Sequence, residues 1–375
     1  MSKILRAETA GGATLIFGLT VALIWANVAH HSYLHLLHHP LPALFHHWAI
    51  GTPQEVVVNG LMTIFFFAIG LELSREFRVG QLQDTRAAIA PVLSALGGMA
   101  ATALLLSVLG WLFQNGTARS AWGVPMATDV AFALGVLALA GPRIPRELRI
   151  FLLTLAVADD IFSVVALAMT GPHAPHATWV LAALGLAILA VIMAKRLVSV
   201  AWIALLIVEW VLFTKAGVEP SLAGVLVGLA VPFSAQHSTG HVLEGPVMMA
   251  STWIALPLFA FVATGVAWSE IAWDRQSTLF GLFLFVARIA GKVIGIVGVV
   301  ALTRRAGVGP EASLTTSMFV GLALLCAVGF TVPLLFASNV LGPNSTLYLM
   351  ATLSLLVASL VSAVAGVCLL RSRSA

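Results

Sequence analysis

The 375-residue sequence predicts an all-α polytopic membrane protein of about twelve transmembrane helices, one integral membrane domain over residues 1–375. Three features lead there. Apolar residues make up 60% of the chain against 9% charged, with a mean hydropathy of +1.03. Apolar blocks of the ~20 residues that a bilayer-spanning helix needs recur from end to end. Basic residues gather on alternate connections: Lys3 and Arg6; Arg75, Arg78 and Arg86; Arg143, Arg146 and Arg149; Lys195 and Arg196; Arg304 and Arg305; Arg371 and Arg373. The opposite side has only Arg119, Lys215 and Arg275, the asymmetry of the positive-inside rule, which puts both termini in the cytoplasm. The net charge of +4 follows from this topology and is no sign of nucleic-acid binding. No polar stretch is long enough for a soluble domain.

The blocks follow in order. Residues 10–29 resemble a signal sequence after Lys3 and Arg6, but the run is long, no small-residue cleavage site follows and Glu8 interrupts the basic flank. A retained first helix is therefore expected. Residues 55–73 and 87–113 read as plain spans. Block 121–140 is interrupted as GVPMATDVAFALG by Gly123, Pro125, Thr128 and Asp129. Block 148–170 carries Asp159 and Asp160 at its centre. Blocks 178–194, 198–214 and 218–233 follow, the last two short, and then 247–267 and 278–302. Block 313–337 is broken as AVGFTVPLLF by Gly329, Thr331 and Pro333, and 345–370 closes the series. Proline removes a backbone donor, so both interrupted blocks are expected to unwind near mid-membrane. Irregular backbone survives there only if protein buries it or it lines a water-filled cavity. Cys326 and Cys368 fall in spans and are expected as buried thiols outside any disulfide framework.

The breaks sit in the middle helices of two trios, about 87–170 and 278–370. An odd number of helices separates corresponding members, so the trios run in opposite directions. That predicts inverted repeats, with two discontinuous helices crossing at the site. No residue-level repeat accompanies the topology.

Charges inside this apolar frame carry the chemistry: Asp129, Asp159, Asp160, Arg288 and Lys292, with Glu209 expected to be buried and Glu72 near a helix end. Each mid-membrane ionisable group costs at least ~2.5–3.5 kcal/mol on insertion scales. Asp129 has two readings, ligation of a cation or compensation of the partial positive charge at broken-helix N-termini. Lys292 likewise reads as a cation near half-helix C-termini or as an aspartate's partner. Adjacent helical residues point about 100° apart, so Asp159 and Asp160 divide, one toward a cavity and one toward Lys292. A carboxylate there holds a proton or Na⁺ but not both, and competition plus alternating access suffices for exchange. Hard oxygen ligands suit a hard cation. No organic cofactor or ATP is implied.

These residues resemble the bacterial sodium/proton antiporters of the NhaA family over nearly the whole chain. The matching stretches are GLMTIFFFAIGLELSREF from Gly60, ATDVAFALGVLAL from Ala127, FLLTLAVADD from Phe151, LAGVLVG from Leu222, LPLFAFVATGV from Leu256, GKVIGI from Gly291 and VGFTVPLLFAS from Val328. NhaA is itself among the proteins behind the inverted-repeat rule, so agreement with it is not an independent success. The resemblance implies an electrogenic antiporter of the bacterial inner membrane. It would export cytoplasmic Na⁺ or Li⁺ for periplasmic H⁺, with more protons entering than cations leaving. It makes Asp160 the principal cation and proton carboxylate, with Asp159 second and paired to Lys292. Thr128 and Asp129 match the polar pair at the broken fourth helix. Glu72, Arg75 and Glu76, with Glu244, match cytoplasmic charges linked to pH control. Lipid and a possible homodimer partner are implied as well.

Departures from the family pattern bear on pH activation. Asn59 stands where the reference member has an aspartate, Glu219 replaces a histidine before LAGV, and the acidic-His segment reads Gly240-His241-Val242-Leu243-Glu244. Arg288 is a cation where the family is apolar, and Glu209 or another carboxylate is expected to neutralise it. The periplasmic loop of about 30–54 crowds His30, His31, His35, His38, His39, His46 and His47. If 30–39 is helical, His31, His35 and His39 share a face that could take Zn²⁺ or sense pH. The simpler reading is a His-rich, weakly structured interfacial segment, because a run supplies no ligand geometry. Pro40, Pro42 and Pro53 argue against the dimerising β-hairpin that the family places there. Rival readings are a sodium-coupled solute symporter on a similar fold, a homologue that only senses pH, and an intramembrane aspartyl protease. The protease lacks its YD and GxGD contexts here.

Overall fold

The computed structural model describes residues 2–42, 50–80, 85–140, 144–168, 176–194, 196–234, 238–271, 273–310, 314–343 and 345–374. Among them there is no strand. The helices are α1 Ser2–Val28, α2 His30–His38, α3 Pro53–Val79, α4 Thr85–Leu112, α5 Gly116–Ser120, α6 Val130–Ala140, α7 Arg146–Ala168 and α8 Ala177–Met193. There follow α9 Ser199–Ala216, α10 Leu222–Ala230, α11 Thr239–Ala263, α12 Arg275–Arg305, α13 Thr316–Cys326, α14 Thr331–Leu341 and α15 Thr346–Ser374.

Local sequence accounts for several boundaries. α3 starts where the Thr52 hydroxyl accepts the Glu55 N–H at 3.2 Å and Pro53 takes the first helical position, whose N–H has no helical partner in any case. α9 stops at Gly217, whose φ of 71° is left-handed. α12 starts at Asp274, whose carboxylate accepts the N–H groups of Gln276 at 2.9 Å and Ser277 at 3.1 Å. Bonding from the Ser277 side chain and backbone holds that carboxyl below its ordinary range.

Each predicted apolar block contains helix, but the blocks are not equal. Among the described residues seven helices are long and apolar enough to cross a membrane: α3, α4, α7, α9, α11, α12 and α15. Two bent pairs raise this to nine, α1 with α2 at 119° and α13 with α14 at 51°. Block 218–233 holds only the nine residues of α10, about 13–14 Å of helix, less than half of a ~30 Å hydrocarbon core. Gly217 and Pro220 before it, and Pro232 after it, account for the short length. In the His-rich loop, 30–38 is helical, and the rings of His35 and His39 lie 5.3 Å apart. No three His, Cys, Asp or Glu side chains converge as a metal site among the described residues, and His46 and His47 lie outside them. Cys326 is buried as expected, whereas Cys368 is exposed, on the outward side of α15.

The chain forms two compact units, residues 1–13, 84–166 and 266–375, and residues 14–83 and 167–265. The first contains almost all of both trios. Its core joins Phe151, Leu155, Ile296, Phe319 and Leu322, with the rings of Phe151 and Phe319 edge to face at 5.0 Å. α4 and α12 approach most closely along a seam of small residues. A Cβ on Gly295 would overlap the Gly97 carbonyl, and one on Gly291 would overlap the Thr102 backbone. This small-xxx-small spacing lets two helices touch backbone to backbone, and it sets the depth of Lys292 between the two glycines. In the second unit α3 packs on α10, and Trp202 of α9 anchors a core with Phe67, Leu71, Val227, Phe233 and Leu243. α2 is fastened there by Tyr33, whose hydroxyl donates to the Phe261 carbonyl at 2.7 Å.

Gly295→Ala is expected to lower the thermal unfolding midpoint of the detergent-purified protein, since overpacking a tight contact costs ~1–3 kcal/mol. Gly298→Ala, with nothing within 4 Å of an added Cβ, is expected to leave it unchanged or slightly higher. Equal midpoints for the two variants would show that the seam is not a tight contact.

Candidate ion-binding site

The site lies wholly in the first unit, on α7, α12 and the two irregular stretches. α7 carries Asp159 and Asp160 side by side in an otherwise apolar helix, and the α4–α12 seam brings Lys292 to meet them. The Lys292 ammonium donates to both oxygens of Asp159, at 3.0 and 3.2 Å. Asp159 is completely buried and also accepts the Thr128 backbone N–H at 2.7 Å. The neighbouring Asp160 is 7% exposed. Of the two carboxylates, Asp159 is the one joined to lysine.

Both interrupted blocks unwind. In the fourth, residues 121–126 form turns and 127–129 have no regular structure before α6 begins. In the eleventh, residues 327–330 separate α13 from α14. The two stretches lie against each other. The Asp129 N–H donates to the Val328 carbonyl at 3.2 Å, and the Thr128 hydroxyl donates to the Cys326 carbonyl at 2.6 Å. Gly329 is required here: a Cβ would press on the Arg288 guanidinium and the Asp129 nitrogen. Its N–H donates to the Ser359 hydroxyl at 3.1 Å. Pro125 lies in the unwound stretch, whereas Pro333 is in the first turn of α14, where its missing N–H is harmless. It begins the second half-helix and does not break it.

Two buried charges satisfy the freed backbone. Asp129 accepts the N–H groups of Phe330 at 2.6 Å and Thr331 at 3.1 Å, together with the Thr331 hydroxyl. It thus caps the N-terminus of α14, where its charge offsets the partial positive charge of the helix end. Arg288, fully buried, donates to the carbonyls of Ala327 at 2.7 Å, Ala127 at 2.9 Å and Pro125 at 3.2 Å. Among the described residues the hydrogen bonds of Arg288 all go to backbone carbonyls, while Asp129 and Asp159 are the carboxylates that act on its charge. Glu209, the acid named first as its partner, belongs to the other unit. Sequence could flag Arg288 as an unexplained cation but not name its partners, because backbone oxygens leave no trace in residue type. Ser163 was also missed. It lies one turn beyond the aspartates, and its buried hydroxyl has no hydrogen-bond partner.

The pH-control candidates meet in the second unit. The Arg75 guanidinium pairs with Glu244, lies 3.4 Å from Glu76 and reaches 4.0 Å from Glu72. Arg75, Glu72 and Glu244 are partly exposed while Glu76 is buried, so much of this network is screened. Asn59 lies in a π-helical turn, where its carbonyl accepts the Trp210 indole N–H at 2.7 Å. Glu219 accepts the Ser221 hydroxyl at 3.0 Å, and a Cβ on Gly240 would meet the Phe233 ring.

Removing one member of the Lys292–Asp159 pair strands the other, at a cost of ~3–5 kcal/mol. Asp159→Asn and Lys292→Met are therefore each expected to lower thermal stability markedly. The double variant should lose much less than the sum, as a thermal-unfolding double-mutant cycle would read directly.

The family model described as Na⁺/H⁺ antiporter 1 matches residues 2–370. The Na⁺/H⁺ antiporter NhaA 1 of Kineococcus radiotolerans is 36% identical, over all of this chain and 90% of its own length. NhaA of Nocardia farcinica is 36% identical over all of this chain and 91% of its own. NhaA of Cronobacter sakazakii is 36% identical over 99% of this chain and 97% of its own. With a family model covering nearly every residue and full-length relatives at this identity, the chain belongs to the NhaA family of Na⁺/H⁺ antiporters.

Proposed function

We propose that this multi-pass membrane protein is an electrogenic secondary antiporter and not an enzyme. It exports cytoplasmic Na⁺ or Li⁺ in exchange for periplasmic H⁺. The observation that carries the reading is the charge balance of the buried site: three carboxylates, Asp129, Asp159 and Asp160, against two cations, Arg288 and Lys292. With Lys292 protonated, one proton on Asp160 neutralises the site; a monovalent cation takes that proton's place, and release of a second proton from Lys292 makes the exchange electrogenic. Asp129 holds the end of α14 and Asp159 holds Lys292; the resemblance to the NhaA family makes Asp160 the carboxylate that exchanges.

In this reading Na⁺ arriving from the cytoplasm displaces the proton on Asp160 and engages oxygens around it. The Thr128 and Ser163 hydroxyls are the candidates besides the aspartates. As the cation draws Asp159 into its coordination, Lys292 loses its partner and gives up a proton. More protons therefore enter than cations leave, and the membrane potential assists. The site then opens to the periplasm, where protons displace the cation. The irregular stretches at Pro125–Asp129 and Val328–Thr331 are the crossing point of two discontinuous helices in a twelve-helix inverted-repeat fold, with both termini cytoplasmic in the inner membrane. The Arg75 network with Glu72, Glu76 and Glu244 adjusts activity to pH, and the protein works as a homodimer in lipid.

Wild-type protein in liposomes with a preset pH gradient and a pH-sensitive dye is expected to dissipate the gradient on addition of Na⁺ or Li⁺. Asp160→Asn should abolish the response. A flat response from folded wild type at every pH, with sodium-driven uptake of an organic solute in its place, would replace antiport with symport. In the same assay Arg75→Gln is expected to shift the pH dependence while leaving the maximal rate within a few-fold, since it touches only a partly exposed network.

A further inference from the structure

One buried acid has no part in the aspartate site. Glu209 lies on α9 of the second unit, about 15 Å along the helix from Ser199 and about 10 Å from its end. It is completely buried, and among the described residues neither carboxyl oxygen has a hydrogen-bond partner. α8 and α10, which pack on α9, contain no ionisable residue. On α11, which also touches α9, Glu244 pairs with Arg75 and the His241 ring bonds the Ser238 hydroxyl. On α3, which Trp210 reaches through the Asn59 carbonyl, Glu55 accepts the Gly51 N–H, Glu72 and Glu76 face Arg75, and Arg78 donates to the Leu229 carbonyl. Lys215, on α9 itself, sits over the Trp179 ring. The Trp202 indole N–H shares the buried face of α9 and also lacks a partner, but two helical turns, about 10 Å, keep it out of reach.

A charged carboxylate in such surroundings costs several kcal/mol that no neighbour offsets. A hard cation would need several more oxygen ligands, and the helices packed on this face present mainly alanine, valine and leucine. A proton needs only the carboxylate. We propose that Glu209 is a second proton-binding carboxyl in the membrane, separate from the aspartate pair and holding its proton while α9 stays packed. Losing that proton creates a charge that only water can solvate, so deprotonation requires α9 to part from α8 and α10. The site thereby converts alkaline pH into a displacement of α9.

The test is infrared difference spectroscopy of the full chain in liposomes, wild type minus Glu209→Gln, and it involves no transport. At neutral pH the expected difference is one carbonyl-stretch band of a neutral carboxylic acid, which shifts in D₂O and fades in wild type as the pH is raised. Carboxylate bands in its place, or no acid band sensitive to the substitution, would overturn the proposal. Should Glu209→Gln fail to fold, Glu209→Asp serves instead: the acid band must move in frequency, and a band that stays put overturns the proposal equally. Because the readout is spectroscopic, it stands or falls apart from the antiport assay.

Discussion

Unwound backbone buried among apolar helices has to find its hydrogen bonds within the protein, and this constraint organises the first unit. Water is not at hand to solvate a freed N–H or carbonyl, and each one left unpaired costs several kcal/mol. The two irregular stretches partly pair with each other, through Asp129 and Val328 and through Thr128 and Cys326. What remains is polarised, with N–H groups at the start of α14 and carbonyls at Pro125, Ala127 and Ala327. Asp129 takes the first group and Arg288 the second. Each residue has the charge sign that its end of the broken helices requires.

That arrangement changes the duties of the other charges. With Arg288 on the carbonyl ends, Lys292 is not needed there and pairs with Asp159. Asp159 in turn accepts the Thr128 N–H, so the ion pair and the irregular backbone share one hydrogen-bond network. Such a network makes the position of Asp159 costly to disturb, because moving it would strand both an ammonium and an amide. Asp160, one residue along, is turned about 100° away on the helix. Two chemically identical side chains thus acquire different surroundings from helix geometry alone.

The second unit treats its charges differently. Glu72 and Glu244 share Arg75 with the buried Glu76, and where their side chains still reach the surface these interactions are weak and responsive to salt. Among the described residues of its unit, Glu209 has neither cation nor donor. The molecule therefore contains a buried acid satisfied by backbone (Asp129), one satisfied by a base (Asp159), and one that its own unit leaves unsatisfied. Burial by itself is common to all three. What distinguishes them is the partner, and with it the chemistry each can carry.

Composition and pattern alone determined the all-helical membrane character, the positions of the apolar blocks and the residues worth suspecting. Bilayer insertion imposes length, polarity and charge placement on every span, and those marks remain visible in a single chain. GVPMATD and AVGFTVP announced their breaks because glycine and proline act locally. Tertiary structure decided the pairings. That Asp129 caps α14, which carbonyls Arg288 meets, and which aspartate holds Lys292 all depend on atoms remote in sequence. Many of those atoms are backbone oxygens and nitrogens that every residue possesses. The shortness of α10 and the exposure of Cys368 were hidden for a related reason: hydropathy registers how apolar a segment is, not how far it stays helical or which face it turns inward.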